Sequence, residues 1–168
     1  MEMRQAKPRE LPLITLIYKR AVDEMLSRKI YQWDQIYPNV SFLKKSMEKG
    51  ELYVFTRQKQ VVGAVVLNSD ESEEWAPVAW QYSPPALVIH ALVMDPSVQG
   101  QGLGSAALDW IERFASENKY HSIRLDLFPE NTAARNLYLH HEYEYRAEVT
   151  FAIKPPGHQV YHCHEKKI

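Results

Sequence analysis

The chain has a single cysteine, Cys163, in 168 residues. That excludes an internal disulfide framework and suits a reducing compartment. No stretch approaches the ~18 consecutive apolar residues that a membrane-spanning helix needs. Charged residues Glu2, Arg4, Lys7, Arg9 and Glu10 open the chain with no long apolar segment behind them, so no secretory signal is expected and a cytoplasmic location is. An excess of one charge is missing as well. Twenty Lys and Arg face 21 Asp and Glu, for a net charge of −1, and bulk electrostatics makes no case for nucleic acid or a membrane surface as partner. Internal repeats and low-complexity tracts are absent. What remains is ordinary for a water-soluble fold: 45% apolar and 24% charged residues, enough for one domain over 1–168 with a substantial core.

Glycine is scarce, six in all, yet three stand at alternate positions in Gln99-Gly100-Gln101-Gly102-Leu103-Gly104. Glycines remove the side chains that would hold a ligand away from the main chain. The segment lies between an apolar strand, 87–94, and an amphipathic helix expected over about 105–118. A helix begins with unpaired N–H groups and the positive end of its dipole, so the spacing predicts a phosphate site at residues 99–105.

Around that segment the pattern is mixed α/β. Residues 3–6 read as a short strand. Ile14, Ile17, Tyr18, Ala21 and Met25 recur at helical spacing over 10–28. Residues 33–38 read as a loop. Ser41 is the expected N-cap of a short helix that stops at Gly50. Residues 52–56 and 61–67 read as a hairpin around Gln58-Lys59-Gln60. An acidic loop follows at 68–74, then an extended piece within 75–82. In the second half, 122–127 reads as a strand alternating Ile123, Leu125 and Leu127 with Arg124 and Asp126. Asn131 caps a helix with Ala134, Leu137, Tyr138 and His141 on one face. Residues 143–153 and 159–164 read as closing strands. The helix after the glycines is expected to bury Leu103, Ala107, Trp110, Ile111 and Phe114.

Two segments together resemble one family. Gln99, Gly102 and Gly104 stand where the acetyl-CoA signature of the GNAT superfamily of N-acyltransferases has Arg or Gln, then Gly, then Gly or Ala. Downstream, Asn131-Thr132-Ala133-Ala134-Arg135-Asn136-Leu137-Tyr138 resembles that family's second motif, at the matching separation of one helix and one strand. The resemblance implies a central, mixed and mostly antiparallel sheet flanked by helices, with splayed central strands forming an acyl-CoA cleft. It implies that the pantetheine arm pairs with the backbone of Leu92, Val93 and Met94. It also implies that the diphosphate meets Gln99, Gly100, Gln101, Gly102, Leu103, Gly104 and Ser105. Two departures stand out: Glu142-Tyr143 replaces the family's frequent Gly-Phe, and Gln99 and Gln101 replace basic residues, which weakens charge neutralisation at the loop.

The activity implied is acetyl transfer from acetyl-CoA to a primary amine of a small molecule or peptide. That chemistry needs a neutral amine, a stabilised oxyanion and a proton for the departing thiolate. An alkylamine, with a pKa of ~10.4, must lose a proton first. His90 is the candidate base, because imidazole titrates near neutrality and strict alternation puts it on the face of Leu92 and Met94. His90-Ala91-Leu92 is also similar to the arylalkylamine branch, where a histidine relays protons. By resemblance Tyr138 is the acid that protonates the thiolate, Asn131 reaches the pantetheine in addition to capping its helix, and Arg135 could meet a CoA phosphate.

The acceptor side is less determined. Trp33, Tyr37 and Trp80 are candidates for an aromatic wall around an amine, and Asp70, Glu71, Glu73 and Glu74 for attracting a cation. His158, His162, Cys163 and His164 raise a metal reading, but no second cluster completes a four-ligand site and no metal is expected. Asn39-Val40-Ser41 matches a glycosylation acceptor without meaning in a cytosolic chain. Two competing readings are a dinucleotide-binding oxidoreductase, with Gly100, Gly102, Ser105 and Asp126 in near-Rossmann spacing, and a non-catalytic acyl-CoA sensor. The oligomeric state is open, and a homodimer is compatible with the chain.

Overall fold

Ile14, Ile17, Tyr18, Ala21 and Val22 form the buried stripe of helix α1 (Leu11–Ser27) in the computed structural model, and their i, i+3, i+4, i+7 spacing is why the helix sits on a core. The structure describes residues 1–34 and 36–168, so Gln35, in the middle of the expected 33–38 loop, lies outside the described residues. In chain order the other elements are β1 (Glu2–Gln5), α2 (Val40–Glu48), β2 (Leu52–Arg57), β3 (Gln60–Asn68), β4 (Ala86–Met94), α3 (Leu103–Glu117), β5 (Ser122–Leu127), α4 (Thr132–His140), β6 (Glu144–Thr150) and β7 (Val160–Lys167). The seven strands are ordered β1-β2-β3-β4-β5-β7-β6. The described pairs are antiparallel except β4 with β5. The chain forms two compact units, 1–67 with 89–111 and 68–88 with 112–168.

The first unit holds α1, α2 and the β1-β2-β3 hairpin strands. Ile14, Ile17, Tyr18, Trp33, Leu43, Leu52, Val54, Ala64, Val66 and Val93 are buried together as its core. Each of the Ile, Leu and Val side chains contributes roughly 1.5–3 kcal/mol relative to exposure. The β2–β3 turn is closed by Gln58 and Lys59, both at positive φ (51° and 65°), the backbone hand that a two-residue hairpin turn requires. Helix α2 starts two residues earlier than a Ser41 cap would allow. Asn39 Oδ1 accepts the Phe42 N–H at 2.9 Å and takes the capping role. Gly50, at φ 76°, ends it as expected.

In the second unit β7 is the inner strand, pairing with β5 on one side and β6 on the other. Three expectations change here. Residues 75–82 form no strand: Glu73–Trp75 is a 3-10 turn, and Gln81 N–H donates to the Glu165 carboxylate at 2.8 Å in place of a neighbouring strand. The prolines at 77, 84 and 85 further deprive the segment of donors. Strand β6 stops at Thr150 because Lys154 N–H closes a turn on Phe151 O at 3.0 Å. Strand β7 runs on to Lys167, since Glu165 faces inward, fully buried, where its charge suggested a surface. For the same reason Arg124 on β5 is buried as deeply as the leucines beside it.

Candidate active site

The glycine segment is anchored before it begins. Asp95, at the end of β4, donates its N–H to Val62 O at 2.8 Å. Its carboxylate accepts from Ser97 N–H at 2.9 Å and from Arg20 Nη1 at 3.1 Å. Burial alone would raise the Asp95 pKa, but the Ser97 and Arg20 donors outweigh it and hold the group below the ordinary carboxylate value. A 3-10 turn, Pro96–Val98, then leads into Gly100 and Gly102 at φ 76° and 71°, the left-handed region that other residues enter only with strain. A Cβ built on either would meet nothing within 4 Å, so the space above both is open.

Helix α3 begins inside this segment, two residues earlier than expected. Gly102 O accepts the Ala106 N–H at 3.1 Å and so stands at the capping position, ahead of the expected start at Ser105. The amides of Leu103 and Gly104 therefore belong to the first turn, where helix geometry supplies no acceptor. Trp110 and Phe114 are half-buried, and Leu108 and Ala115 supply the buried stripe with Ala107 and Ile111. The sequence reading missed Arg57. From the end of β2 its Nη1 donates to Gln101 Oε1 at 2.6 Å, which sets a fixed cation beside a loop that has no basic residue of its own.

Strand β4 is irregular before it reaches the loop. Ala91 sits at φ 52°, and its carbonyl accepts the Tyr18 hydroxyl at 2.7 Å. Burial makes that phenol harder to ionise, so it remains a donor. The alternation that put His90 on the face of Leu92 and Met94 assumes an unbroken pleat, which Ala91 interrupts; His90 itself is half-buried. Val93 joins the first unit's core, while Met94 Sδ and Val93 O close over Gly63, where a Cβ would lie 2.6 Å and 2.5 Å from them. Within the second unit, the parallel register of β4 with β5 covers only Ala86–Ser122, Leu87–Ile123 and Val88–Arg124.

In the second unit Asn131 Oδ1 accepts the Ala134 N–H at 3.2 Å and caps α4. Tyr138 is the buried residue of that helix and packs edge-on against Tyr143 at 5.3 Å. Burial first, and the nearby Asp126 second, push its phenol well above the ordinary value. Asp126 is itself raised, to about 6, because burial disfavours its charge and Glu74 adds to that. The Trp75 indole and Lys154 oppose the shift. Arg135 is exposed.

A family model described as Acetyltransferase (GNAT) family matches residues 17–143. The chain belongs to the GNAT acetyltransferase family. It is similar to the N-acetyltransferase YesJ of Bacillus subtilis, 26% identical over 159 residues that span 92% of this chain and 83% of YesJ. Its fold matches a GNAT acetyltransferase from Streptococcus agalactiae, with a TM-score of 0.84 at 18% identity, covering 99% of this chain and 95% of that one. It also matches yncA from Salmonella typhimurium, a structure that includes acetyl-CoA, with a TM-score of 0.73 at 16% identity and coverage of 99% and 93%. As a GNAT acetyltransferase the protein is an acyl-transferring enzyme on a mixed, mostly antiparallel sheet flanked by helices. The dinucleotide reading falls with this assignment, and the Asp95-anchored turn between β4 and the glycines is the local reason: a Rossmann strand runs straight into its glycines.

The aromatic candidates for the acceptor are distributed between the units. Trp33 is buried in the first unit's core against Tyr18, with ring centroids 5.8 Å apart. Tyr37, half-buried, packs on Phe42 at 5.0 Å. Trp80, in the second unit, lies against Trp75 at 5.2 Å and under the Arg124 guanidinium at 4.7 Å, so an internal cation already uses its ring. The acidic run is likewise engaged, Glu71 with Arg124 and Glu74 with the Ser72 hydroxyl. His164 is buried with its Nδ1 3.4 Å from Tyr143 O. Among the described residues no three potential ligands gather into a metal site, and no helix is long and apolar enough to cross a membrane.

Proposed function

We propose that this GNAT acetyltransferase moves the acetyl group of acetyl-CoA to a primary amine of a small molecule or peptide, by direct attack of the amine nitrogen in a ternary complex. The observation that carries the reading is the open cradle over Gly100 and Gly102, followed at once by the first turn of α3. Bare amides and a helix N-terminus suit a diphosphate. Residues Gln99 through Ser105 hold it, and Arg57, through its contact with Gln101, supplies the positive charge that the loop lacks. A family match running unbroken from 17 to 143 crosses both compact units, which supports reading them as parts of one domain.

The remaining roles follow from the chemistry. The backbone of Leu92, Val93 and Met94 receives the pantetheine arm, and an N–H of that segment polarises the thioester carbonyl, a contribution of ~3 kcal/mol in comparable sites. Asn131 assists the pantetheine while capping α4, and Arg135 is available to a CoA phosphate. Tyr138 protonates the departing sulfur. A phenol held this far above its ordinary pKa does not ionise on its own. It can pass its proton to sulfur while taking the second proton of the attacking nitrogen, and so stays neutral throughout.

Thiol release from acetyl-CoA across a panel of amines, run beside calorimetric CoA binding, tests this. Tyr138→Phe is expected to lower kcat by ~10²–10⁴-fold, the usual contribution of a positioned acid, with CoA affinity within about twofold. Unchanged turnover would remove Tyr138 from the chemistry. Binding of CoA with no thiol release from any amine would turn the reading toward a sensor, and failure to bind CoA would sink it.

A further inference from the structure

Helix α4 ends in a tight turn that brings a second tyrosine against Tyr138. His141 N–H reaches Leu137 O at 3.2 Å and Glu142 N–H reaches Leu139 O at 3.0 Å. Glu142 then takes φ 62°, the left-handed backbone that a residue with a side chain enters only with strain. Tyr143 is thereby folded back onto the helix. Its N–H donates to Tyr138 O at 3.0 Å, and its ring meets the Tyr138 ring edge-on, with centroids 5.3 Å apart and planes at 72°. Its carbonyl lies 3.4 Å from His164 Nδ1 on β7. Lys166 Nζ, 5.7 Å from the centre of the Tyr143 ring, is bound by Glu112 Oε2 at 2.7 Å, and Glu112 Oε1 is 3.3 Å from His141 Nδ1. Main chain and ring are thus held from α3, α4 and β7. The hydroxyl is the exception: Tyr143 is 1% exposed, and among the described residues its Oη has no hydrogen-bond partner. A phenylalanine would fill the same space without burying an unanswered polar group. An unpaired hydroxyl on a side chain restrained everywhere else needs a reason outside the resting fold.

We propose that Tyr143 is a positioning residue for Tyr138, its hydroxyl dipole reserved for the negative charge that gathers on the Tyr138 oxygen while a proton passes to sulfur. This rests on the acetyl-transfer reading above and on Tyr138 as its acid. In that step the C–S bond breaks with its electron pair going to sulfur, and the Tyr138 O–H bond breaks with its proton going to the same sulfur. The Tyr138 oxygen takes the proton that the neutral amine's nitrogen sheds as the C–N bond forms. While the first transfer runs ahead of the second, that oxygen carries charge in a buried setting, where a nearby dipole acts strongly. Tyr143 gives up no proton of its own. Burial first, then the charges of Glu112 and Tyr138, push its phenol well above the ordinary value, so it stays a donor. The presence of Tyr138 among those causes means that charge on one phenol is felt at the other. An O–H dipole unpaired before the reaction and answered only during it lowers the barrier without tightening either ground-state complex. Sealed at 1% exposure, Tyr143 meets neither substrate, and its effect falls on kcat.

Thiol release from acetyl-CoA is followed with propylamine, putrescine and a lysine-containing peptide as probes, for the wild type, Tyr143→Phe, Tyr138→Phe and the double variant. Tyr143→Phe is expected to lower kcat ~10-fold, the scale of one hydrogen-bonding dipole on a developing charge, with the KM for acetyl-CoA and for the amine within about twofold. In the Tyr138→Phe background, assayed at higher enzyme concentration, the same change has no further effect, because the group it acts through is gone. Thermal unfolding is a second readout that needs no turnover. Tyr143→Phe keeps the ring and drops an unpaired hydroxyl, so it should melt level with the wild type or above it, whereas a hydroxyl kept for the fold would give a lower melting point. An unchanged kcat in Tyr143→Phe, a raised KM with kcat retained, an equal fold-loss in the Tyr138→Phe background, or a lower melting point overturns the proposal while acetyl transfer stands. A Tyr138→Phe variant as active as the wild type does so too, since it leaves Tyr143 nothing to act through. No thiol release by the wild type with any probe overturns the acetyl-transfer reading and this proposal with it.

Discussion

The glycine segment of the first unit and the Glu165 cluster of the second solve opposite problems. Around Gly100 and Gly102 the chain exposes main-chain groups, leaves the space above them open and spends no side chain on filling it. Around Glu165 every group is turned inward. Its two carboxylate oxygens receive Ser122 Oγ and Arg124 Nε at 2.9 Å each and Gln81 N–H at 2.8 Å, with Arg146 at 3.3 Å. Arg124 goes on to bond Glu71 and Tyr82 O and to cover Trp80. Polar groups that a protein satisfies internally hold it together, and those it leaves open are free to meet a ligand. By that test the first region fits the binding device proposed above, and the second fastens residues 68–85, which have little regular structure of their own, to β5 and β7.

The sharpest way to break the contrast is to unmake the internal side of it. Glu165→Ala takes the shared carboxylate from Arg124 and Arg146, leaving Arg124 with Glu71 and the Tyr82 carbonyl and Arg146 with Glu144, and removing one partner of a buried pair costs about 3–5 kcal/mol. Urea denaturation should show that loss. A loss below ~1 kcal/mol would mean that Arg124 is satisfied by Glu71 and the Tyr82 carbonyl alone, and that the cluster is less interdependent than its geometry indicates. Gly102→Val tests the other region. The left-handed φ of 71° imposes about 1–2 kcal/mol of strain on a valine, and its branched side chain enters the open space. The KM for acetyl-CoA should rise at least ~10-fold, with kcat at saturation much less affected and stability lowered by no more than the strain. Unaltered KM would place the diphosphate elsewhere.

The same contrast explains what could be read without coordinates. The glycine loop, the stripe of α1, the capping Asn131 and the face that carries Tyr138 are written in neighbouring residues, so spacing alone exposes them. The Glu165 cluster is not local: Arg124, Ser122 and Gln81 reach Glu165 from 41, 43 and 84 residues away along the chain, and a charged residue late in an alternating strand reads as surface until the covering segment is known. Asp95 is answered by Arg20 from 75 residues away. Asp126 illustrates a subtler failure. It reads as the polar half of an alternation, or as a ribose acid, whereas burial among elements distant in the chain raises its carboxyl to about 6. Ala91 shows the converse, a residue with no sequence signal whose positive φ undoes an inference from perfect alternation.

Arg57 draws the finest distinction between the two regions, since it is a side chain serving the backbone device. It and Gln101 are 44 residues apart and exposed, so its contact contributes little to the fold; exposed ionic and polar contacts are commonly worth 0.2–1 kcal/mol. In the proposed function its value lies in the charge it brings to a loop with two glutamines and no basic residue of its own. Arg57→Ala should raise the KM for acetyl-CoA by about two- to fivefold at low ionic strength, within the range of a partly screened charge. The difference should shrink in 0.5 M salt, and Arg57→Lys should recover most of it because charge matters more there than fork geometry. The melting temperature should not move. An effect that is insensitive to salt would assign Arg57 to loop shape through its Gln101 hydrogen bond, and Gln101→Ala would then reproduce it in full.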